Sequence, residues 1–106
     1  MKAFINCKIC KQEVDIIDVF KLSGYTFFIH NEEGGYITSE WKSGLRMPGI
    51  YTSIDEVKAG ARARYTSIKK IKFETIMEIS KINYGVVNEG NPPTKKQVLE
   101  AVNGKV

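Results

Sequence analysis

The segment that decides the fold runs from Tyr25 to Trp41 and reads YTFFIHNEEGGYITSEW. Two runs rich in β-branched and aromatic residues flank the turn sequence NEEGG. Runs of this kind joined by a Gly-containing turn are typical of a β-hairpin. Alternation along the first run puts Tyr25, Phe27 and Ile29 on one face. We therefore predict an antiparallel hairpin.

Turn signals on both sides extend this hairpin into a meander. Ser23-Gly24, Ser43-Gly44 and Pro48-Gly49 punctuate the first half of the chain. The strands predicted between these turns are residues 14–22, 25–30, 36–42 and 45–52. Pro48 cannot donate to a ladder, so the last strand is expected at an edge, or broken there.

The two faces of the predicted sheet differ in polarity. Ile37 and Trp41 point to one side, whereas Thr38 and Glu40 point to the other. We expect the polar side to be solvated and Trp41 to lie in the core. Because His30 precedes a polar turn, we expect an exposed strand-end histidine without a catalytic role.

A helix is predicted to begin just after Ser53. Ser53 and Glu56 have the spacing of a capping box, in which each side chain satisfies a free backbone N–H of the first turn. One face of this helix is expected to cover the sheet, and it consists of Ile54, Val57, Ala61, Tyr65 and Ile68. Gly60 costs about 1 kcal/mol relative to Ala in mid-helix. It either allows a close approach to the sheet or is only tolerated.

The periodicity of residues 69–81 fits two structures. An alternating pattern, as in a strand, joins Ile71, Phe73, Thr75, Met77 and Ile79. A helical stripe joins Ile68, Ile71, Thr75, Ile79 and Ile82. The helix would leave Phe73 and Met77 on the opposite side, and the high Ile content favours a strand. The prediction is therefore a strand.

The C-terminal region combines a linker with a short helix. Residues 88–93 read NEGNPP, which indicates a linker, and Thr94 to Gln97 form a second capping-box pattern. A helix of about two turns is predicted to continue to Val102 and to end at Asn103-Gly104. Because so short a helix is marginal alone, we expect it to dock on a partner surface or to fray.

These elements together predict an α+β fold. It contains an antiparallel meander of about four to five strands packed by one main helix, with a short C-terminal helix. Residues 1–88 are expected to form the domain, and residues 89–106 the linker and the short helix.

The composition is that of one globular domain. The chain has 106 residues, 42% of them hydrophobic, and 16 Lys plus Arg against 12 Asp plus Glu give a net charge of +4. No apolar run approaches the ~20 residues of a membrane span, and Asn6 interrupts the N-terminal apolar run too early for a secretory signal. We expect a protein of the bacterial cytoplasm that does not bind membranes.

The cysteines form a single Cys-x-x-Cys at Cys7 and Cys10. A structural zinc site needs four ligands, so these two would have to recruit His30 plus a carboxylate, or a second copy of the chain. A redox motif is the other functional interpretation, but no βαβ pattern surrounds the pair. The simplest expectation is two half-buried residues on a strand, with Cys7 and Cys10 only weak metal candidates.

The sequence lacks the motifs of common catalytic sites. It contains no Walker loop, no Gly-x-Gly-x-x-Gly, no Gly-x-Ser-x-Gly and no His-Glu-x-x-His, and His30 is its single histidine. We therefore predict that the protein is not an enzyme and needs no cofactor.

A basic run lies between Glu56 and Glu74, where six cations occur without an acid. Such a ridge beside a sheet suits phosphates, although an ordinary solvated helix face explains it too. The predicted phosphate- or partner-binding residues are Lys58, Arg62, Arg64, Lys69 and Lys70, extended by Arg46 and Lys42.

The stretch from Tyr36 to Arg46, followed by Thr52 to Glu56, resembles small phage and prophage accessory proteins of Gram-positive bacteria. They share a strand, a Ser/Thr-Gly turn, a second strand and a capped helix. The resemblance implies a stoichiometric binder that inhibits a host defence complex, as anti-CRISPR proteins do, or sequesters a signal nucleotide. The positive charge disfavours DNA mimicry and favours contact with a guide RNA, a nucleotide or an acidic protein face.

Three functions follow as hypotheses. The leading one is a phage-encoded inhibitor whose partner is a host protein or ribonucleoprotein complex. The alternative is an accessory protein that binds RNA or DNA through the basic ridge. The third is a structural or assembly protein that self-associates through exposed strand edges into a homo-oligomer.

Overall fold

The computed structural model describes residues 1–6, 11–32, 34–47, 49–67 and 70–103. Within these residues the fold is α+β, as predicted, and it comprises two antiparallel sheets and three helices. The elements in chain order are β1 (Lys2–Asn6), β2 (Lys11–Asp15), β3 (Asp18–Leu22), β4 (Tyr25–Glu32), β5 (Gly35–Glu40), α1 (Ile54–Ser67), α2 (Lys70–Tyr84) and α3 (Lys95–Asn103).

The central sheet has the strand order β3–β4–β5, and β1 pairs with β2 in a separate hairpin. The single strand predicted over residues 14–22 is therefore divided between the two sheets. The division falls at Ile16 and Ile17, whose side chains pack into different apolar clusters. The Ile16 N–H donates to the carbonyl of Met1 and the Ile17 N–H to the carbonyl of Ile29, so the backbone pairing changes from one sheet to the other between these two residues.

The strand predicted over residues 45–52 is reduced to two isolated bridges on the outer edge of β5. Arg46 pairs with Ser39 and Tyr51 pairs with Tyr36. Between the two bridges, Gly49 adopts a φ of 115°, which a strand does not accommodate.

Both faces of the central sheet are buried, so the prediction of a solvated polar face is wrong. Phe27 and Ile29 belong to a cluster under α1 and α2, whereas Phe28 and Trp41 belong to a second cluster with residues of β1 and α3. The prediction that Trp41 lies in the core is confirmed.

The expectation of an exposed His30 is also wrong, since its side chain is 1% exposed. β4 continues two residues beyond His30, and the layer formed by the β1–β2 hairpin and α3 covers that face. The imidazole Nε2 and the Ser39 hydroxyl form a 2.9 Å hydrogen bond across the paired strands. Burial lowers the pKa of His30, which keeps the ring neutral at pH 7.

α1 begins at the predicted cap. The Ser53 hydroxyl accepts the backbone N–H of Glu56 at 3.1 Å, while the Glu56 carboxylate accepts the Thr52 hydroxyl. The predicted apolar face is buried on the sheet at Val57, Ala61 and Tyr65.

Gly60 allows a close approach on α1. A Cβ at this position would lie 2.2 Å from Cζ of the Tyr51 ring, so the ring occupies the space that a side chain would need. The glycine therefore lets Tyr51 pack directly against the helix.

The strand predicted over residues 69–81 is wrong, because this segment forms α2. Among its described side chains, Met77 and Ser80 are buried. Glu74 accepts the Tyr65 hydroxyl at 2.6 Å, and Glu78 accepts the Tyr25 hydroxyl at 3.2 Å. A helix held by a serine and by hydrogen-bonded glutamates beside one methionine lacks the apolar period expected of a packed helix.

α3 has the predicted capping box in full. The Thr94 hydroxyl accepts the Gln97 N–H, and the Gln97 side chain accepts the Thr94 N–H. The expectation that this helix docks on a partner or frays is wrong, because Val98 is fully buried in the Phe28 cluster and α3 packs on β3. The chain thus supplies its own docking surface.

Asn88 ties the segment before α3 to the rest of the fold. Its side chain accepts the Phe4 N–H at 2.7 Å and donates to the carbonyls of Phe4 and Trp41 at 2.8 and 2.7 Å. One amide therefore links β1, the end of β5 and the C-terminal segment.

Candidate functional site

A groove of about 410 Å³ opens beside the outer strand of the central sheet. β3 forms its floor, α1 forms one wall, and residues 92–95 at the start of α3 form the other. Its described lining includes four cations and no carboxylate, and the cations are Lys21, Lys58, Arg62 and Lys95. The groove therefore concentrates positive charge between three elements that are far apart in sequence.

Lys58 is fixed in the groove by Asp18 at the start of β3. The two side chains form a 2.6 Å ion pair, and both are mostly buried. The other oxygen of Asp18 accepts the backbone N–H of Val19, which orients the carboxylate. Because Asp18 already neutralises Lys58, this lysine adds little to the attraction for an anion.

Arg62 lies one turn after Lys58 and faces the same strand. Its guanidinium carbon lies 5.8 Å from the centre of the Phe20 ring, a cation–π distance. Phe20 in turn stacks on Phe27, with ring centres 5.7 Å apart. A core aromatic pair therefore positions the arginine at the edge of the sheet.

The groove continues into a second depression of about 380 Å³. The two depressions share Lys21, Thr26 and Pro92 as lining residues. The second is also lined by two aromatic rings and two more lysines, and these are Tyr25, Trp41, Lys42 and Lys81. Because they share these residues the two depressions adjoin, and we call them together the basic groove.

Carboxylates mark the far end of the basic groove. Glu78 accepts hydrogen bonds from Lys81 at 2.8 Å and from Tyr25. Burial and the Glu78 hydrogen bond raise the pKa of Tyr25 to about 12, whereas the Lys81 hydrogen bond lowers the pKa of Glu78. Tyr25 is thus a neutral donor and Glu78 an anion at pH 7, so the lining has its larger excess of positive charge at the α1 end.

The structure brings together only some of the predicted binding residues. Lys58 and Arg62 line the α1 end of the basic groove, and Lys42 lines the far end. Arg64 lies one turn after Gly60, on the side of α1 that packs on Tyr51 and away from the groove.

Three further predicted binding residues are not among the described lining of the basic groove. Arg46 is at the opposite, β5 edge of the sheet, where it forms a 3.1 Å ion pair with Glu32. Lys70 is the first residue of α2, and Lys69 lies outside the described residues.

Reasoning from the sequence missed Lys21 and Lys95, which complete the positive lining. Neither belongs to the basic run, and each is isolated in sequence from the other groove cations. Alternation along β3 places Lys21 on that strand, and the capping box at Thr94 places Lys95 at the start of α3. Only the packing of α3 on β3 brings the two elements together.

The weak metal candidates Cys7 and Cys10 lie outside the described residues. Among the residues that are described, no three His, Cys, Asp or Glu side chains form a metal-binding group. None of the described helices has the length and apolar character that crossing a membrane requires.

Comparison with protein-family models, with curated proteins and with solved structures finds no match for this chain. The resemblance to phage accessory proteins, and the inhibitory function expected from it, therefore stay predictions.

Proposed function

We propose that this protein is a non-catalytic binding protein whose basic groove holds the backbone of a single-stranded nucleic acid. The observation that carries the proposal is the convergence of Lys21, Arg62 and Lys95 from three elements on one groove. Lysine and arginine side chains attract phosphates and release the counterions around them, and this release drives nucleic-acid binding.

The shape and the lining of the basic groove favour a strand over a single nucleotide. Two depressions of about 410 and 380 Å³ share lining residues, so they offer a larger continuous surface than one nucleotide needs. Tyr25 offers a partly exposed aromatic ring in the second depression, whereas Trp41 is buried there. Proteins that bind single strands combine a positive groove with aromatic side chains on which bases stack.

The test is the salt dependence of binding to a labelled single-stranded oligonucleotide, measured by fluorescence anisotropy. If three cations neutralise phosphates, the affinity is expected to fall about 20-fold between 50 and 200 mM salt. Lys21→Ala and Lys95→Ala are each expected to reduce the salt slope by about 0.7. Both lysines are exposed, so the fold should tolerate the changes.

Arg46→Ala is the matched control, since it removes one positive charge at the other edge of the sheet. The salt dependence of oligonucleotide binding by this variant should have the same slope as that of the wild type. The proposal is overturned by absence of binding at low salt, by an affinity that does not change with salt, or by an equal effect of Arg46→Ala.

A further inference from the structure

The outward face of α2 exposes a row of isoleucines. Ile76, Ile79 and Ile82 recur every three residues, and 45%, 49% and 80% of their surfaces are exposed. Met77, on the inward side of the same helix, is fully buried in the core. α2 therefore has apolar residues on two opposite sides and is covered on only one of them.

The surroundings of Ile79 carry no charge. Its neighbours three and four positions away along the helix are Thr75, Ile76, Ile82 and Asn83, which are all exposed and all uncharged. We call these four residues and Ile79 the outer α2 patch. An ordinary solvated helix face has charged residues at such positions, so the patch has the composition of an interface.

We propose that the outer α2 patch is the interface of a two-fold homodimer, in which α2 packs antiparallel on α2 of a second copy. A two-fold axis at Ile79 would place this residue opposite its own counterpart. It would also place Ile76 opposite Ile82 of the second copy, and Thr75 opposite Asn83 of the second copy. Apolar residues then meet apolar residues and uncharged polar residues meet each other, so the patch is complementary to itself.

The exposed apolar area fits a weak, transient dimer. Val86, seven residues after Ile79, extends the exposed surface beyond the patch. With this residue, the apolar side chains offer roughly 400 Å² per copy, or about 800 Å² in the dimer, which is the size of a weak interface. We expect a dissociation constant in the micromolar range.

This proposal is independent of the proposed nucleic-acid binding. The residues of the outer α2 patch do not line the basic groove. A monomer that binds oligonucleotides would refute only the dimer.

The first measurement is sedimentation velocity of the full chain at concentrations from about 1 to about 200 µM. The mass is expected to rise from 12.0 kDa toward twice that value. A monomer over the whole range would overturn the proposal and assign the patch to a different partner.

Two substitutions locate the interface. Ile79→Glu brings two like charges together at the axis and is expected to weaken dimerisation at least tenfold. Leu99→Glu is the matched control, because Leu99 is 50% exposed on α3, outside the patch. A dimer that survives Ile79→Glu, or one that Leu99→Glu disrupts equally, would contradict the assignment, provided that circular dichroism shows both variants folded.

A mixing experiment tests the antiparallel geometry. Ile79→Glu and Ile79→Lys are each expected to be monomeric, but an equimolar mixture should recover dimers because the axis puts Glu opposite Lys. A mixture that remains monomeric would mean that position 79 does not face itself.

Discussion

One face of the β3–β4–β5 sheet is covered by α1 and α2, which follow each other in the chain, whereas the other is covered by β1, β2 and α3, which are far apart in sequence. The first face is held mainly by large apolar side chains around Phe27. The second combines an apolar cluster around Phe28 with two polar anchors, the His30–Ser39 pair and Asn88. Closing long loops costs more conformational entropy, and the directional hydrogen bonds of Asn88 help to fix the distant segments, whereas the His30–Ser39 bond joins the paired strands β4 and β5.

Replacing the central phenylalanine of each face should give the largest effects. Phe27 and Phe28 are both fully buried, so Phe27→Ala and Phe28→Ala should each lower the free energy of unfolding by about 4 kcal/mol. Urea denaturation followed by circular dichroism measures both. If Phe28→Ala lowered the free energy of unfolding by less than about half as much as Phe27→Ala, the second face would be only loosely packed.

Removing the Asn88 amide should have the next largest effect. Asn88→Ala deletes three hydrogen bonds and leaves the buried Trp41 carbonyl without this donor, which should cost about 2 kcal/mol. Hydrogen exchange at the Phe4 amide should accelerate, since its acceptor is gone. Asn91→Ala, three residues later and exposed, is the control and should leave both quantities unchanged.

The pH dependence of stability should distinguish the two faces. The folded-state pKa of His30 lies below 6.5 because of burial, with Glu32 opposing and Arg46 reinforcing that effect. The unfolded chain therefore binds the proton more readily, so the stabilisation is complete above pH 6.5 and is lost as the pH falls below it. The contribution of one such group is at most about 1.4 kcal/mol per pH unit.

The measurement is the difference in free energy of unfolding between the wild type and His30→Gln at several pH values. Glutamine remains neutral, so the wild type should lose stability relative to the variant as the pH falls from about 7.5 to about 5.5. Parallel curves would show that His30 is not held neutral by the fold.

The elements that the sequence predicts correctly are those with local signals. Alternation defines β4 and β5, and capping boxes define the starts of α1 and α3. α2 could not be recognised, because its inward side depends on Tyr65–Glu74 and Tyr25–Glu78 hydrogen bonds between separate elements. The helical stripe through Ile79 and Ile82 is present, but it faces outward.

The candidate site was partly predictable for the same reason. Lys58 and Arg62 share one helix, so their spacing alone puts them on one flank of it. Lys21 and Lys95 join them through the packing of α3 on β3, which rests on the burial of Val98. Nothing in a single sequence specifies which surface a lone valine buries against.

The smallest effect expected tests how α1 approaches its side of the sheet. Gly60→Ala places a methyl group against the end of the Tyr51 ring, so the ring must move. The packing lost should exceed the gain of about 1 kcal/mol in helix propensity, which leaves a net destabilisation of about 1 kcal/mol. In a Tyr51→Ala background the obstacle is absent, and the same Gly60→Ala change should stabilise the protein by about 1 kcal/mol. If Gly60→Ala changed the stability in the same direction in both backgrounds, the contact with the Tyr51 ring would not be the reason for the glycine.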